Sequence, residues 1–307
     1  MAKDRIAYNK NMPNKSASVL LLFILISATG FAQPYLDLAA TQHISFKNSG
    51  ITSKKTNANA EGSWDLIWLN IPLKIDSSNM LLLSPEFEYR AVINDENIHD
   101  AFYRTAYLPI TYIHTFPSKN RLSLTGIYRY NADTRTSFSN KNDQIGFAGI
   151  FYKKQSDRLT WKAGLYFNQE FFNNQWIPFL GIDYHFNNRL MVTCLLPRYL
   201  LLDYTFTPSI HGGLWFRGLD ESYRSKSDNV SDYYRVTEGY LRAYLDYYIP
   251  KTKLVVTAGI GHTLQRKYRY GYAGGVYETF PEGALLFHTG LAMRFITDKN
   301  FRTQREP

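Results

Sequence analysis

The stretch YLRAYLDYY, residues 240–248, admits two readings. Glu238, Arg242 and Asp246 recur at every fourth residue, as do Leu241 and Leu245, and on a helix that spacing would stack opposite charges one turn apart. Counted by twos, Glu238, Tyr240, Arg242, Tyr244, Asp246 and Tyr248 share one face, and Gly239, Leu241, Ala243, Leu245, Tyr247 and Ile249 share the other. A spacing of four satisfies both periods, so this segment alone leaves helix and strand open. Its neighbours decide.

Period-two alternation recurs along the chain. Leu81, Leu83, Phe87, Tyr89, Ala91 and Ile93 share a face with Pro85, and Ser84, Glu86, Glu88 and Arg90 share the other. Leu159, Trp161, Ala163, Leu165 and Phe167 alternate with Thr160, Lys162, Gly164, Tyr166 and Asn168. Leu254, Val256, Ala258 and Ile260 oppose Val255, Thr257, Gly259 and Gly261; Ile67, Leu69, Ile71, Leu73 and Ile75 oppose Trp64, Trp68, Asn70 and Lys74. These segments predict strands, and residues 240–248 read as a strand with them. The composition agrees: 45% hydrophobic, 20% charged, with 24 tyrosines and 20 phenylalanines, the residue types that favour strands and membrane interfaces.

Residues 1–32 are a separate object. Lys3, Arg5, Lys10 and Lys15 precede the apolar run VLLLFILI (residues 19–26), and small Gly30 and Ala32 precede Gln33, the pattern of a secretory signal peptide cut after Ala32. The remainder, 33–307, is expected to form one domain. Without residues 1–32, which carry four Lys/Arg and one Asp/Glu, the formal excess falls from +9 to +6 and is scattered, so no nucleic-acid footprint is present. The single cysteine, Cys194, permits no intramolecular disulfide.

Short polar turns (DSSN 76–79, PSKN 117–120, KKQSD 153–157, NN 187–188, TP 207–208, PKTK 250–253) alternate with mostly longer polar segments at 47–62, 94–100, 131–142, 225–232 and 268–282. Transmembrane β-barrels show this asymmetry, with tight periplasmic turns and longer outer loops. The exceptions are EFFNN at 170–174 and LPR at 196–198, where Pro197 interrupts two strands of only about seven residues, short of the 9–11 that cross a bilayer. Counting that pair as crossing predicts 14 strands, and as an incomplete hairpin 12. A soluble sandwich also alternates. The export signal, the strands of 10–14 residues against a globular mean of about 5–6, and a last strand (284–295) ending in Phe295 favour an all-β, antiparallel transmembrane barrel of 12–14 strands in the outer membrane. A polar tail, 296–307, follows. Tyr35, Tyr128, Tyr130, Tyr247 and Tyr248, with Phe102 and Tyr112, are expected in the interfacial girdles.

LPRYLLLDYTF, GGLWFRGLDESYR and YLRAYLDYYI together resemble the second half of an uncharacterised family of Gram-negative outer-membrane β-barrels often labelled porin-like, and the similarity extends over about residues 36–295. The resemblance implies the fold, an outer-membrane location among lipids and lipopolysaccharide, and assembly by the barrel-assembly machinery. It implies no specific activity and no cofactor.

With the apolar faces on lipid, the opposite faces line a lumen: Glu86, Glu88, Arg90, Arg129, Lys162, Asp183, His185, Arg217, Glu238, Arg242, Asp246, His288 and Arg294. Both signs occur, so these side chains form either a polar path for small solutes or an internal ion-pair and tyrosine network that braces the barrel. Among outer segments, 268–282 joins Tyr268, Tyr270, Tyr272, Tyr277 and Phe280 with Gly271, Gly274 and Gly275, a candidate contact loop or a self-packed one. Lys47, Lys54 and Lys55 are candidates to face lipopolysaccharide. Seven scattered histidines show no metal-ligand spacing, and no G-x-S-x-G motif accompanies His114; Asp183 and His185 share a face without further catalytic partners. The chain is therefore read as a non-enzymatic barrel that passes or binds small polar solutes. The alternatives are a structural or binding barrel presenting its loops, and a lipid-modifying barrel enzyme.

Overall fold

The computed structural model describes residues 35–48, 60–94, 101–136, 138–225, 232–272, 275–281 and 283–296. The expected leader (1–32), Lys54, Lys55 and the tail beyond Ile296 lie outside the described residues. The strands in chain order are β1 Tyr35–Asn48, β2 Ala60–Leu69, β3 Ile71–Lys74, β4 Asn79–Leu83, β5 Glu86–Asn94, β6 Ala101–Thr115, β7 Arg121–Asp133, β8 Asp143–Lys154 and β9 Leu159–Gln169. They continue with β10 Asn174–His185, β11 Leu190–Leu196, β12 Tyr199–Thr207, β13 Ile210–Arg224, β14 Tyr233–Tyr248, β15 Leu254–Tyr272, β16 Gly275–Thr279 and β17 Ala284–Ile296.

These strands form one antiparallel sheet that closes on itself: β17 pairs with β1 from Tyr35↔Ile296 to Asn48↔Ala284, leaving no edge. β2 and β3 are one wall strand broken at Asn70, β4 and β5 are one broken at Ser84 and Pro85, and β16 is an arm on the outer end of β15, so the wall has fourteen strands. β11 and β12 both take part, with seven and nine residues, which resolves the 12-or-14 alternative. Residues 240–248 lie in β14, hydrogen-bonded between β13 and β15.

The three irregularities of the early strands lie side by side and are laced together. Asn70 donates its amide to the Asp37 carbonyl (2.7 Å), where the β1 register shifts, and Ser84 donates its hydroxyl to the Asn70 side chain (2.6 Å). Pro85 lacks an N–H for the ladder, and its carbonyl accepts from Leu69 N (3.0 Å). At the periplasmic turn that follows β3, the Asp76 carboxylate accepts from the Ser78 and Asn79 amides (2.7 and 2.9 Å) and from the Asn79 side chain (2.7 Å). The Asn79 side chain and these amides hold the Asp76 carboxyl below the usual range.

The barrel is inside-out relative to a soluble protein. Ile67, Phe87, Phe147, Trp161, Leu180, Leu245, Ile260 and Phe287 are exposed on its outer wall, whereas Arg90, Arg129, Lys162, Asp183, Glu238, Arg242, Asp246 and Arg294 are buried inside. Such a continuous apolar wall requires hydrocarbon around it. Among the described residues no helix is long and apolar enough to cross a membrane; the crossing is by strands. Of the expected girdle tyrosines, Tyr128 and Tyr247 are exposed on the wall, but Tyr130 is buried, and Tyr35 and Tyr248 lie against Arg294. Tyr130 shares the face of Tyr128 but is covered by Phe138 (5.2 Å), Arg104 and Asn142, which donates to its hydroxyl (3.1 Å), and the β1 shift at Asp37 turns Tyr35 inward.

Ile260 lies well inside β15 with its side chain half-exposed to lipid. Ile260→Arg is expected to lower the barrel's unfolding free energy by about 2–4 kcal/mol, as a charge at the bilayer midplane does, read from urea titration of the protein folded in lipid vesicles.

Candidate functional site

The lumen is divided by a contact between two walls. At their outer ends β7 and β13 meet in parallel, Ala132 beside Arg224. Asn131 donates to the Ser222 carbonyl (3.0 Å), and Gln144 to the Ser222 hydroxyl (3.2 Å). Glu170, from the β9–β10 connection, accepts from the Ser222 amide (2.9 Å) and hydroxyl (2.5 Å), from Asn168 (2.6 Å) and from Arg129 (3.3 Å). The contact leaves β1, β2, β5, β6, β7, β13, β14, β15 and β17 as a smaller ring at the outer side.

That ring is filled. Ile44, Phe46, Trp64, Leu66, Val92, Tyr103, Leu219, Tyr223, Tyr234, Val236, Tyr240, Tyr268 and Leu286 form one buried cluster contributed by strands around its circumference. Tyr103 stacks on Tyr234 (5.0 Å) and packs on Tyr223 (4.4 Å), and Tyr234 touches Tyr268 (5.7 Å). Glu238 accepts from Tyr268 (2.5 Å), pairs with Arg266 (3.5 Å) and reaches across the lumen to pair with Arg90. Tyr268 is therefore no loop contact: it stands on β15 and points into the packed core. Tyr270 is partly buried against the same core. Of the segment 268–282, residues 268–272 continue β15 and residues 275–279 form β16 paired to it, with Lys267 paired to Glu278 (2.9 Å) and Arg269 paired to the same carboxylate. The side chains of Tyr272 and Tyr277 lie outside the described residues. Lys47 is exposed at the outer end of β1.

The other lobe is braced by polar side chains. Lys162 pairs with Asp183 (2.5 Å) and donates to Thr193 (2.9 Å), so Asp183 on β10 is tied to β9 and β11. His185, two residues on, is partly buried at the end of β10. Ile127, Tyr166, Phe179 and Leu195 pack together above it. His114, considered above for chemistry, bonds Asn79 (2.8 Å) and sits edge-on to Phe116 (4.5 Å).

Between the packed core and the periplasmic end lies a cavity of about 390 Å³. Its lower end carries Tyr35, Asp37, Asp246 and Arg294, with Arg294 bridging Asp37 (2.5 Å) and Asp246 (2.5 Å) and donating to Tyr248 (3.1 Å). Its upper end carries Arg198, Trp215, Arg217, Arg242 and His288. Arg242 lies over Trp215 (3.6 Å) and Arg217 over Trp64 (4.6 Å). Glu86 lines the cavity, while Glu88 is buried behind it, accepting from Trp64 Nε1 (3.1 Å). Beside Arg242, β15 carries no side chain on its inward face at Gly259 and Gly261, Gly261 lying directly opposite Arg242. A Cβ at Gly261 would fall 2.7 Å from the Arg242 Cβ and closer still to the Leu241 carbonyl, so the glycine also permits the close approach of β14 and β15.

Of the lumen candidates, Glu86, Arg217, Arg242 and Asp246 thus meet at one cavity, Arg90 and Glu238 form the strut above it, and Lys162 and Asp183 belong to the second lobe. Sequence reasoning missed Asp37, Asn70 and Arg198 at the cavity. The signal for Arg198 was the shortness of the LPR hairpin: a strand pair too short to reach the outer rim places its tip at mid-barrel. Among the described residues no three His, Cys, Asp or Glu side chains gather as a metal site. Glu238→Ala would remove the buried carboxylate that Arg90 and Arg266 share, and is expected to cost about 3–5 kcal/mol in the same urea titration.

Several chains of solved structure match this chain over most of its length at low identity. An outer membrane channel from Pseudomonas putida F1 is 9% identical, with 87% of this chain and 98% of that one covered and a TM-score of 0.47. A mutant porin of Rh. blastica is 8% identical (85% and 100% covered, TM-score 0.32). The siderophore receptor PirA from Pseudomonas aeruginosa is 9% identical (86% and 81% covered, TM-score 0.27). No protein of curated function matches in sequence. The closed fourteen-strand wall with its lipid-facing exterior makes the chain an outer-membrane β-barrel, and, matched over residues 31–293, it belongs to the family described as a domain of unknown function, DUF6268.

Proposed function

We propose that this barrel serves transport by binding a small polar solute inside the lumen and passing it through a gated route, in contrast to an open porin. The observation that carries the reading is the polar cavity of about 390 Å³ placed beneath a lumen packed shut by aromatic side chains. A cavity of that size holds a small metabolite, and ligand sites of 300–1,000 Å³ with a few placed polar groups are the usual form. Passage to the outside requires the Tyr103, Tyr223 and Tyr240 layer to yield. The mature barrel would begin at Gln33 after removal of the leader, and be inserted by the barrel-assembly machinery. An enzymatic role has no comparable support, since His114 is engaged by Asn79 and Phe116 at a periplasmic turn.

A binding barrel is the second reading, favoured by the ordered β15–β16 arm that projects past the wall with its own ion pairs. Deleting residues 273–279 separates the two, because solute uptake survives that deletion only under the transport reading.

In planar bilayers the purified barrel is expected to show no standing conductance, whereas the triple variant Tyr103→Ala, Tyr223→Ala, Tyr240→Ala shows discrete steps. Large steady steps from the parent chain would sink the gated reading. Proteoliposomes carrying the parent should take up small polar solutes faster than protein-free vesicles; equal rates would remove the transport reading itself.

A further inference from the structure

Among the described residues, the buried lysine and arginine side chains follow one rule with one exception. Arg90, Arg129, Lys162, Arg266 and Arg294 are buried, and each holds a carboxylate: Glu238, Glu170, Asp183, Glu238 again, and Asp37 with Asp246. Arg242 is equally buried, 3% exposed, and among the described residues has none within ion-pair distance. Its Nε and Nη1 atoms find no hydrogen-bond partner among the described residues. Asp246, the acid on its own strand face, is engaged by Arg294 (2.5 Å) and by the Thr257 hydroxyl (2.7 Å).

The neighbours of Arg242 deepen the imbalance. His288, 1% exposed, lines the same cavity with both ring nitrogens unpartnered. Arg217 lies close enough to repel Arg242 and is held over an indole, with Glu86 and Glu88 acting on it at longer range. Arg198, at the β11–β12 tip, adds a fourth donor group to the cavity and forms no ion pair among the described residues. Burying a guanidinium without a counter-charge costs several kcal/mol, so a site that gathers such groups around an empty volume is shaped for an anion. Planar guanidinium forks match the oxygens of a carboxylate or phosphoryl group.

We propose that Arg242, Arg217, Arg198 and His288 form a binding site for a small oxyanion, a carboxylate or a phosphoryl group, at the upper end of the lumen cavity. The site rests on the solute-binding reading above and names its substrate class. The oxyanion supplies the counter-charge that Arg242 lacks. Trp215, under Arg242, reports occupancy.

The test is a fluorescence titration of the full barrel folded in detergent, with inorganic phosphate and with succinate, at ionic strength held constant by sodium chloride. Saturable change with either anion is expected, phosphate alone assigning a phosphoryl group and succinate alone a carboxylate. Arg242→Gln is expected to weaken binding by about tenfold or more, the loss of a charge-assisted hydrogen-bonded pair, and Arg242→Lys by less. No saturation by either anion, or unchanged binding in Arg242→Gln, overturns the site. Should Arg242→Gln not fold, judged by heat-modifiable gel mobility, Arg198→Gln at its partly exposed tip carries the test, and unchanged binding there overturns it equally. Saturable binding without uptake of any solute in proteoliposomes keeps the site and removes the transport reading; uptake without saturable anion binding does the reverse.

Discussion

In hydrocarbon a backbone N–H or C=O has no water to turn to, and an unpaired group costs several kcal/mol. The pairing of β17 with β1 answers that constraint along thirteen register pairs, and the remainder of the structure depends on it. Once the sheet is closed, every strand has two faces in opposite media. The outward set, from Ile67 and Phe87 to Ile260 and Phe287, meets lipid; the inward set carries nearly all the charge. A one-residue slip in any strand would exchange the two, so the apolar alternation also sets the register.

Closure moves the electrostatic problem indoors. Arg90, Arg129, Lys162, Arg266 and Arg294 sit in a lumen walled by protein, and each is matched by a carboxylate from another strand or, for Arg129, from the β9–β10 connection. Some of these pairs tie neighbouring strands, as Arg266 does with Glu238 and Arg294 with Asp37, and others reach past the backbone ladder, Arg90 with Glu238 from β5 to β14 and Arg294 with Asp246 from β17 to β14. The aromatic layer of Tyr103, Tyr223, Tyr234 and Tyr240 fills the outer ring that the β7–β13 contact creates. What is left unfilled, the cavity lined by Arg242 and His288, is also where charge is left unmatched.

The helix-like spacing of Glu238, Arg242 and Asp246 turns out to be two strand steps, and it separates three roles. Glu238 braces the core, Arg242 faces the cavity, and Asp246 anchors Arg294. The inward parity of all three was legible from alternation with Leu241, Ala243 and Leu245. Their division of labour was not, because Arg90 is 148 residues from Glu238 and Arg294 is 48 from Asp246. Tyr268 shows the opposite failure: glycines and tyrosines read as an outer loop, whereas β15 continues past the wall and carries that ring into the core.

The sequence by itself determined the barrel class, the sides of most strands and the turns between them, because these follow from a period of two and from local turn chemistry such as Asp76 capping its own turn. Tertiary structure decided the strand count, since only pairing shows that β11 and β12 complete the wall. It also decided the filling of the lumen and the composition of its cavity. Those depend on which inward side chains meet across the barrel, and contacts between opposite walls leave no periodic trace in any one strand.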